Sequence, residues 1–408
     1  MSGALLFRNA AEVVTCTSTR AESVLRHAAV LVRDGRIVSV GDEAAMRAAA
    51  AGASVVECGG GVLTPGFVDS HTHAVFGGWR AAEYALRARG VPYMEIARRG
   101  GGINASVRDV RARAEDELVA LTRERLRDVV RLGTTTVEIK SGYGLETASE
   151  LKQLRVVRRL QDELPIRLVP TFLGAHEFPP EYREQRERYV ELLVEEMIPA
   201  VAAERLAVFC DVFMERGVFT AAQTRRVLNA GLAHGLTPKL HADELENAGG
   251  AELAVELGAA SADHLGAVSI QGVRALASSR TVATLLPATL LFLGRAQSAP
   301  ARKLIDAGAT VALATDFNPG SAPSPSMPLV LTLACSQLRL DPLEAIVAAT
   351  AGGAAALRLT DGTGTIVPGA PADLVVWGVA DYNELPYRFG NAPIRGVWSA
   401  GVRVHECL

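Results

Sequence analysis

Eight histidines occur in the chain, and five of them, His71, His73, His176, His241 and His264, lie at the ends of short apolar runs with β character. Neutral imidazole is the commonest metal ligand and a common carrier of protons, so where these rings meet decides what chemistry is open. His71-Thr72-His73 follows the run 62–68 by way of Asp69-Ser70. Alternate side chains of an extended segment share a face, so both rings can turn towards one ion. His241 ends the run 237–240, and Asp316 follows 310–314. His71, His73, His241 and Asp316 together make a three-nitrogen, one-oxygen set that suits Zn²⁺, with Fe²⁺ or Mn²⁺ also accommodated. A catalytic site of this type keeps a position for water and lowers that water's pKa towards neutrality. Glu244, three residues past His241, can reach the same pocket as a proton carrier. His264, after 260–262, can orient the nucleophile or polarise a scissile carbonyl. One histidine alone is most often a packed core residue, and Glu244 alone most often a surface acid within Asp243, Glu244 and Glu246. Five rings at strand ends favour chemistry.

Such residues need a scaffold that gathers distant segments. Eight apolar runs, 62–68, 134–139, 167–172, 207–213, 237–240, 260–262, 281–286 and 310–314, are mostly separated by helical stretches such as 109–132, 148–163, 181–202 and 221–234. Strand–helix alternation implies parallel βαβ units. Eight units predict an α/β protein closed into a (β/α)8 TIM barrel, whose strand C-termini converge on one face. An open doubly wound sheet would show a Gly-rich phosphate turn after its first strand, and no convincing strand directly precedes Gly100-Gly101-Gly102. Asp341-Pro342 reads as the N-cap and first-turn proline of a last helix over 341–357. Towards the chain ends, the runs 29–32 and 37–40 flank Arg33-Asp34-Gly35-Arg36, a hairpin signal, and 372–377 and 394–404 are also β-like. Neither end alone can bury a sheet face. They are therefore expected to combine, as residues 1–62 and 361–408, into a small β-sandwich beside a barrel over 63–360.

Composition narrows the partners. The 408 residues carry a formal net charge of −3, which leaves no basic excess for nucleic acid or a membrane surface. No run approaches the about 20 apolar residues that span a bilayer, and no secretory signal pattern is present. The five cysteines are scattered without a CxxC pair, which argues against a disulfide framework or a cysteine zinc site. A cytoplasmic location is the expectation. Lysine occurs only at 140, 152, 239 and 303, although Lys and Arg total 42; codon bias is the simplest reading.

With these residues in view, the chain resembles the amidohydrolase superfamily. The resemblance is carried by TPGFVDSHTH (64–73), the strand-five and strand-six histidines, the strand-eight aspartate and the closing GTGTIVPGAPADLVVW (362–377). More specific motifs are VFGGWR (75–80), GGGINASVR (100–108), TTTVEIKSGYGLE (134–146), PTFLGAHEFPPEY (170–182), HADELENAGGAELAVELGAASADHL (241–265) and TDFNPGSAPSPSMPLVLTLAC (315–335). These are similar to the branch that opens the ring of 4-imidazolone-5-propanoate to N-formimidoyl-L-glutamate in histidine degradation. The resemblance implies one divalent metal ion, Zn²⁺ or Fe²⁺, on His71, His73, His241 and Asp316. It implies substrate contacts from Arg80, Tyr143, His176, Glu244, Asn318, Gly320 and Ser321, catalytic roles for Glu244, His264 and Asp316, and a homodimer. Arg80 would grip a carboxylate tail with its planar fork. Tyr143 would add a hydrogen bond, Gly320 would let the backbone approach a ligand, and Tyr93 would close over the tail or pack in the core. Glu244 and His264 remain alternatives as the primary base. The chain departs from the family pattern at Ala288, Trp79 and Glu177-Phe178. Two other readings compete: a deaminase of a nitrogen heterocycle, which has no need of Arg80, and a non-catalytic barrel, which has no need of the four ligands.

Overall fold

Eight parallel staves follow one another round a barrel in the computed structural model, which describes residues 3–91, 95, 100–391 and 393–406. In chain order they are Phe67–Asp69, Thr134–Lys140, Arg167–Ala175, Phe209–Met214, the broken pair Thr237–Pro238 and Leu240–Ala242, Ser261–His264, Val282–Leu285 and Val311–Leu313. Every neighbouring pair along this path is parallel, and lateral order equals chain order. Most stave residues are buried, as expected where one face fills the barrel and the other lies under helices.

The expected first run, 62–68, divides between two sheets. Ser54–Pro65 pairs with Leu5–Val14 and Leu374–Trp377 in a sheet built from the chain ends, and only Phe67–Asp69 enters the barrel. The switch takes one residue: Gly66 N–H donates to Asp373 O (2.9 Å), and Phe67 N–H donates to Gly133 O (2.9 Å). Hydropathy could not mark this break, because both halves are buried. The helical stretch 109–132 is likewise two helices, Ile103–Ala112 and Glu115–Arg131. The ammonium of Lys152 sits at their junction and donates to the carbonyls of Val110, Arg111 and Arg113 (2.8, 3.2 and 2.8 Å). Stretch 181–202 contains a π turn at Leu193–Met197 just before Pro199, which has no N–H to give.

The chain-end sheet has eight strands, ordered Val402–Glu406, Ile394–Ser399, Leu374–Trp377, Ser54–Pro65, Leu5–Val14, Ala28–Arg33, Arg36–Asp42, with Val24–Arg26 also on Leu5–Val14. Asp34 and Gly35 take the positive φ values (49° and 76°) that the Asp-Gly hairpin requires. The sheet curls enough that Phe7 and Trp398, three strands apart, bring their rings to 5.0 Å and enclose a core with Val30, Val32, Leu63 and Val376.

The barrel's seam lies between its first and eighth staves. The last helical segment covers it: Pro342–Val347, capped by an Asp341–Glu344 capping box, a π turn at Ala348–Gly352, and Gly353–Ala356. Two glycines allow that close approach. A Cβ at Gly352 would strike the carbonyl of Val311, and one at Gly353 the carbonyl of Val68. Gly353→Ala is therefore expected to cost about 1–3 kcal/mol, lowering the melting temperature by a few degrees with an unchanged far-ultraviolet spectrum. An unaltered melting curve would show that the helix has room to shift.

Candidate active site

Closure of the seam builds half of the site. Past the ends of the two staves, Asp316 N–H donates to His71 O (3.0 Å) and His73 N–H donates to Phe317 O (2.8 Å), with Thr72 bridged to Phe317. Asp316 adopts φ 55°, and the neighbouring strand ends do likewise at His264 (78°) and Asp243 (51°). Left-handed backbone at non-glycine residues costs energy and is concentrated at functional sites. At Asp316 and His264 the side chains face the histidine cluster, whereas the Asp243 carboxylate accepts from the N–H groups of Ala248, Gly250 and Ala251.

His71 is fully buried. Its Nδ1 lies 2.7 Å from Asp263 Oδ2, while its Nε2 is buried without a hydrogen-bond partner. That nitrogen is 3.6 Å from Asp316 Oδ1, and His73 Nε2 is 3.5 Å from the same oxygen. Two atoms each about 2.1 Å from one tetrahedral ion lie about 3.4 Å apart, so these separations fit a shared cation. His241 joins at 4.5 Å between ring centroids from His71, with its Nδ1 3.0 Å from Asp211 Oδ2. His71, His73 and Asp316 place one ligand atom each within 4.8 Å of one another, and so do His71, His241 and His264. His264 thus lies at ligand distance too, a position not foreseen for it. Burial, reinforced by neighbouring cationic and imidazole groups, holds His71, His73 and His264 well below the ordinary imidazole range. The rings are neutral, as donors to a metal must be. Asp316 is pushed up to about 6 by burial, opposed by the hydroxyl of Thr289, which donates to Oδ2 at 2.6 Å. That bond leaves Oδ1 to face the histidines. The donor set fits a divalent ion.

The residues expected to contact substrate surround this cage. Arg80 is largely buried, and its Nε and Nη1 have no hydrogen-bond partner; the nearest carboxylate, Glu83, is 3.9 Å away. Its charge contributes to lowering His176, which burial above all brings down to about 3. Nη2 occupies the space where a side chain at 320 would stand, which explains the glycine there. His176 donates through Nδ1–H to Gly142 O (2.9 Å) and stacks on His73 at 5.1 Å, with buried Tyr143 5.5 Å from His176. Asn318 and Ser321 organise their own loop. Asn318 Oδ1 accepts from the N–H groups of Gly320 and Ser321 (both 2.8 Å), and its Nδ2 donates to Asp316 O (2.6 Å) and Ser321 Oγ (2.9 Å). Tyr93 lies outside the described residues. Trp79 is half exposed over Phe76 and Phe317, and Phe178 stacks on Phe219 at 4.3 Å; burial raises Glu177. Ala288 lies in the short helix Pro287–Phe292, beside a cavity of ≈ 330 Å³ that reaches His264.

Comparison with known proteins now identifies the family. The amidohydrolase family profile matches residues 62–404. Imidazolonepropionase of Myxococcus xanthus is 50% identical over 97% of this chain and 96% of its own length; that of Symbiobacterium thermophilum is 49% identical over 93% and 90%. The chain belongs to the amidohydrolase family, among its imidazolonepropionases. Solved structures share the fold: 5-methylcytosine deaminase from Klebsiella pneumoniae superposes with a TM-score of 0.74 at 17% identity, covering 99% of this chain and 98% of that one. Guanine deaminase of E. coli gives 0.71 at 16%, covering 100% and 99%.

For an amidohydrolase, the cage rests on an unexpected base. Glu138, Lys140, Asp211, Lys239 and Asp263 are fully buried inside the barrel. Lys140 Nζ reaches Glu138 Oε1 (2.7 Å), Asp211 Oδ2 (2.8 Å) and Asp263 Oδ2 (3.7 Å); Lys239 Nζ donates to Ser70 O (2.9 Å) and lies 3.5 Å from Glu138 and 3.7 Å from Asp263. Asp69 ties the first stave to the eighth through Thr315 N–H and Oγ1 (3.0 and 2.6 Å). Sequence reasoning assigned no role to any of these, nor to Thr289 or to Glu215, which accepts from Leu245 and Glu246 N–H (2.9 and 3.3 Å) and fixes the loop carrying Glu244. A signal existed for the lysines: in a chain this rich in arginine, one of the four lysines ends a barrel stave and a second lies in the break of the fifth.

Glu244 Oε2 is 3.7 Å from His264 Nε2. Burial, helped by the charges of Asp316 and Glu215 and opposed by Arg295, pushes Glu244 up to about 8. A carboxyl raised in this way is protonated below that pH and charged above it. In metal-free protein, infrared difference spectra should therefore show a carboxylic-acid C=O band at pH 7 that titrates near 8 and is missing in Glu244→Gln; a band lost near 4 would contradict the geometry. Gly320→Ala should displace the Arg80 guanidinium and raise KM for a carboxylate-bearing substrate while kcat changes little. An unchanged KM would remove Gly320 from the anchor.

Proposed function

We propose that this chain hydrolyses the ring amide of 4-imidazolone-5-propanoate to N-formimidoyl-L-glutamate. Support comes from the near full-length relatives and, within this chain, from the two unpartnered, buried donors of Arg80 beside a histidine cage. An otherwise idle guanidinium in that position calls for an anion. The substrate's propanoate tail supplies one and brings the ring carbonyl over the cage.

The ligands proposed for the ion, Zn²⁺ or Fe²⁺, are His71, His73, His241 and Asp316. Bound there, it supplies water acidification and carbonyl polarisation. Glu244, in the carboxylate form that a bound divalent cation would favour, accepts the proton that the attacking water gives up and passes it to the ring nitrogen as the C–N bond breaks. One C–O bond forms, one C–N bond breaks, and the proton ends on nitrogen. Glu244 suits this work better than His264, because a carboxyl raised towards neutrality can both take up and release a proton near the working pH. Burial makes the His264 ring a poor proton acceptor, so it orients the carbonyl oxygen and Glu244. His176 and Tyr143 line the tail side. Asn318 and Ser321 act by shaping the loop that presents Gly320. Chain-end residues 1–62 and 361–408 form a composite β domain on this reading. A cytoplasmic homodimer with neither nucleic acid nor membrane as partner fits it, and among the described residues no helix is long and apolar enough to cross a membrane.

Loss of the imidazolone chromophore, followed together with elemental analysis, tests the assignment. Wild type should open the ring and carry one divalent ion per chain, and Asp316→Ala should lose both. Ring opening by metal-free Asp316→Ala would rule the scheme out. Arg80→Met should raise KM about 10–100-fold through loss of a charged hydrogen-bonded pair and leave kcat close to wild type. Ammonia release from aromatic amines, insensitive to Arg80→Met, would instead point to a deaminase.

A further inference from the structure

The ligand imidazoles His71 and His241 each bring Nδ1 close to a buried carboxylate: His71 is hydrogen-bonded to Asp263 at 2.7 Å, and His241 lies 3.0 Å from Asp211 without hydrogen-bond alignment. Those two carboxylates come from different staves and share one ammonium. Lys140 Nζ donates to Asp211 Oδ2 and lies 3.7 Å from Asp263 Oδ2, the oxygen that faces His71. Lys239, the other buried ammonium, lies 3.7 Å from that same oxygen, but its hydrogen bond goes to Ser70 O. We propose that Lys140 is a positioning residue for the metal centre: it fixes Asp211 and Asp263 together and so sets the tautomer and orientation of two ligand rings at once. This inference rests on the metal-site reading given above.

The chemistry favours lysine here. A compact ammonium has three donors on a slender stem, and Lys140 directs them at Glu138 and Asp211, with Asp263 close by. Outer partners of ligand histidines hold the ring tautomer and raise ligand basicity, and their loss typically weakens metal binding about 10–100-fold. One cation serving two such carboxylates couples both ligands to a single side chain.

Competition between a chelator and the Zn²⁺-loaded full chain tests the idea, with His71→Ala as reference. Lys140→Met is expected to release Zn²⁺ to chelator about 10–100-fold more readily than wild type and, at saturating Zn²⁺, to lower kcat with KM unchanged. The second variant, Lys140→Met with Glu138→Gln, removes one charge of each sign and leaves the net charge of the cluster as it was. If Lys140 orients the two aspartates, the double variant stays as weak as the single; it also carries the test if the single variant does not fold. Wild-type retention in Lys140→Met, recovery of retention in the double variant, or a KM change with kcat intact would each overturn the proposal. Wild type holding no more Zn²⁺ than His71→Ala would overturn the metal-site reading itself, and this proposal with it.

Discussion

Everything at the mouth of this barrel depends on how its first and eighth staves meet. Among the described residues no regular ladder joins Phe67–Asp69 to Val311–Leu313. The junction is made just beyond them, by Asp316 N–H on His71 O and His73 N–H on Phe317 O, and below by Asp69 on Thr315. Three proposed ligands are therefore part of the seam that closes the sheet. Ring closure fixes them to one another more rigidly than loops could, and a site on scaffold elements keeps its geometry better than one on mobile segments. Gly352 and Gly353 belong to the same arrangement, because they let the last helix lie flat across the join.

A cage of neutral rings beside a carboxylate is not self-supporting. The rings must stay uncharged and point the right way, and the buried carboxylates behind them must stay ionised. Inside the barrel two lysines face three buried carboxylates. Burial alone would raise Asp211 and lower Lys140, yet their mutual attraction reverses both shifts. Buried ion networks are weak sources of stability, since desolvation offsets most of the attraction. Their presence here is better explained by what they orient than by what they stabilise.

Much of this was legible in the residues. Period and punctuation revealed the eight staves and the capped last helix, and the histidines at strand ends pointed to a cluster that the fold does bring together. The Asp34-Gly35 turn and the Asp341 cap formed where local chemistry demands them. Illegible features share one property, which is that their meaning is tertiary. Pro65-Gly66 divides an unbroken apolar run because two different sheets receive its halves. Thr289 sits in an apolar helix, and only the fold brings its hydroxyl to Asp316. Lys140 reads as the ordinary charged end of a strand until Asp211, 71 residues on, arrives beside it. Asn318 and Ser321 bear the right functional groups for a ligand, but those groups are engaged in shaping a turn.

That turn shows how backbone and charge act together at the anchor. Asn318 accepts from two successive N–H groups and so folds the chain back at Gly320, where the missing side chain leaves a slot. Arg80 fills the slot with Nη2 and leaves Nε and Nη1 without partners. A buried guanidinium kept in this state is costly in the free enzyme, and a carboxylate that satisfies both donors removes the cost on binding. On the proposed reading, selectivity for an acidic tail follows from a largely buried cation with unmet hydrogen bonds, held in place by a loop whose polar side chains point at one another. Substrates without the tail leave the cost in place, which discriminates against them more strongly than a missing attractive contact would.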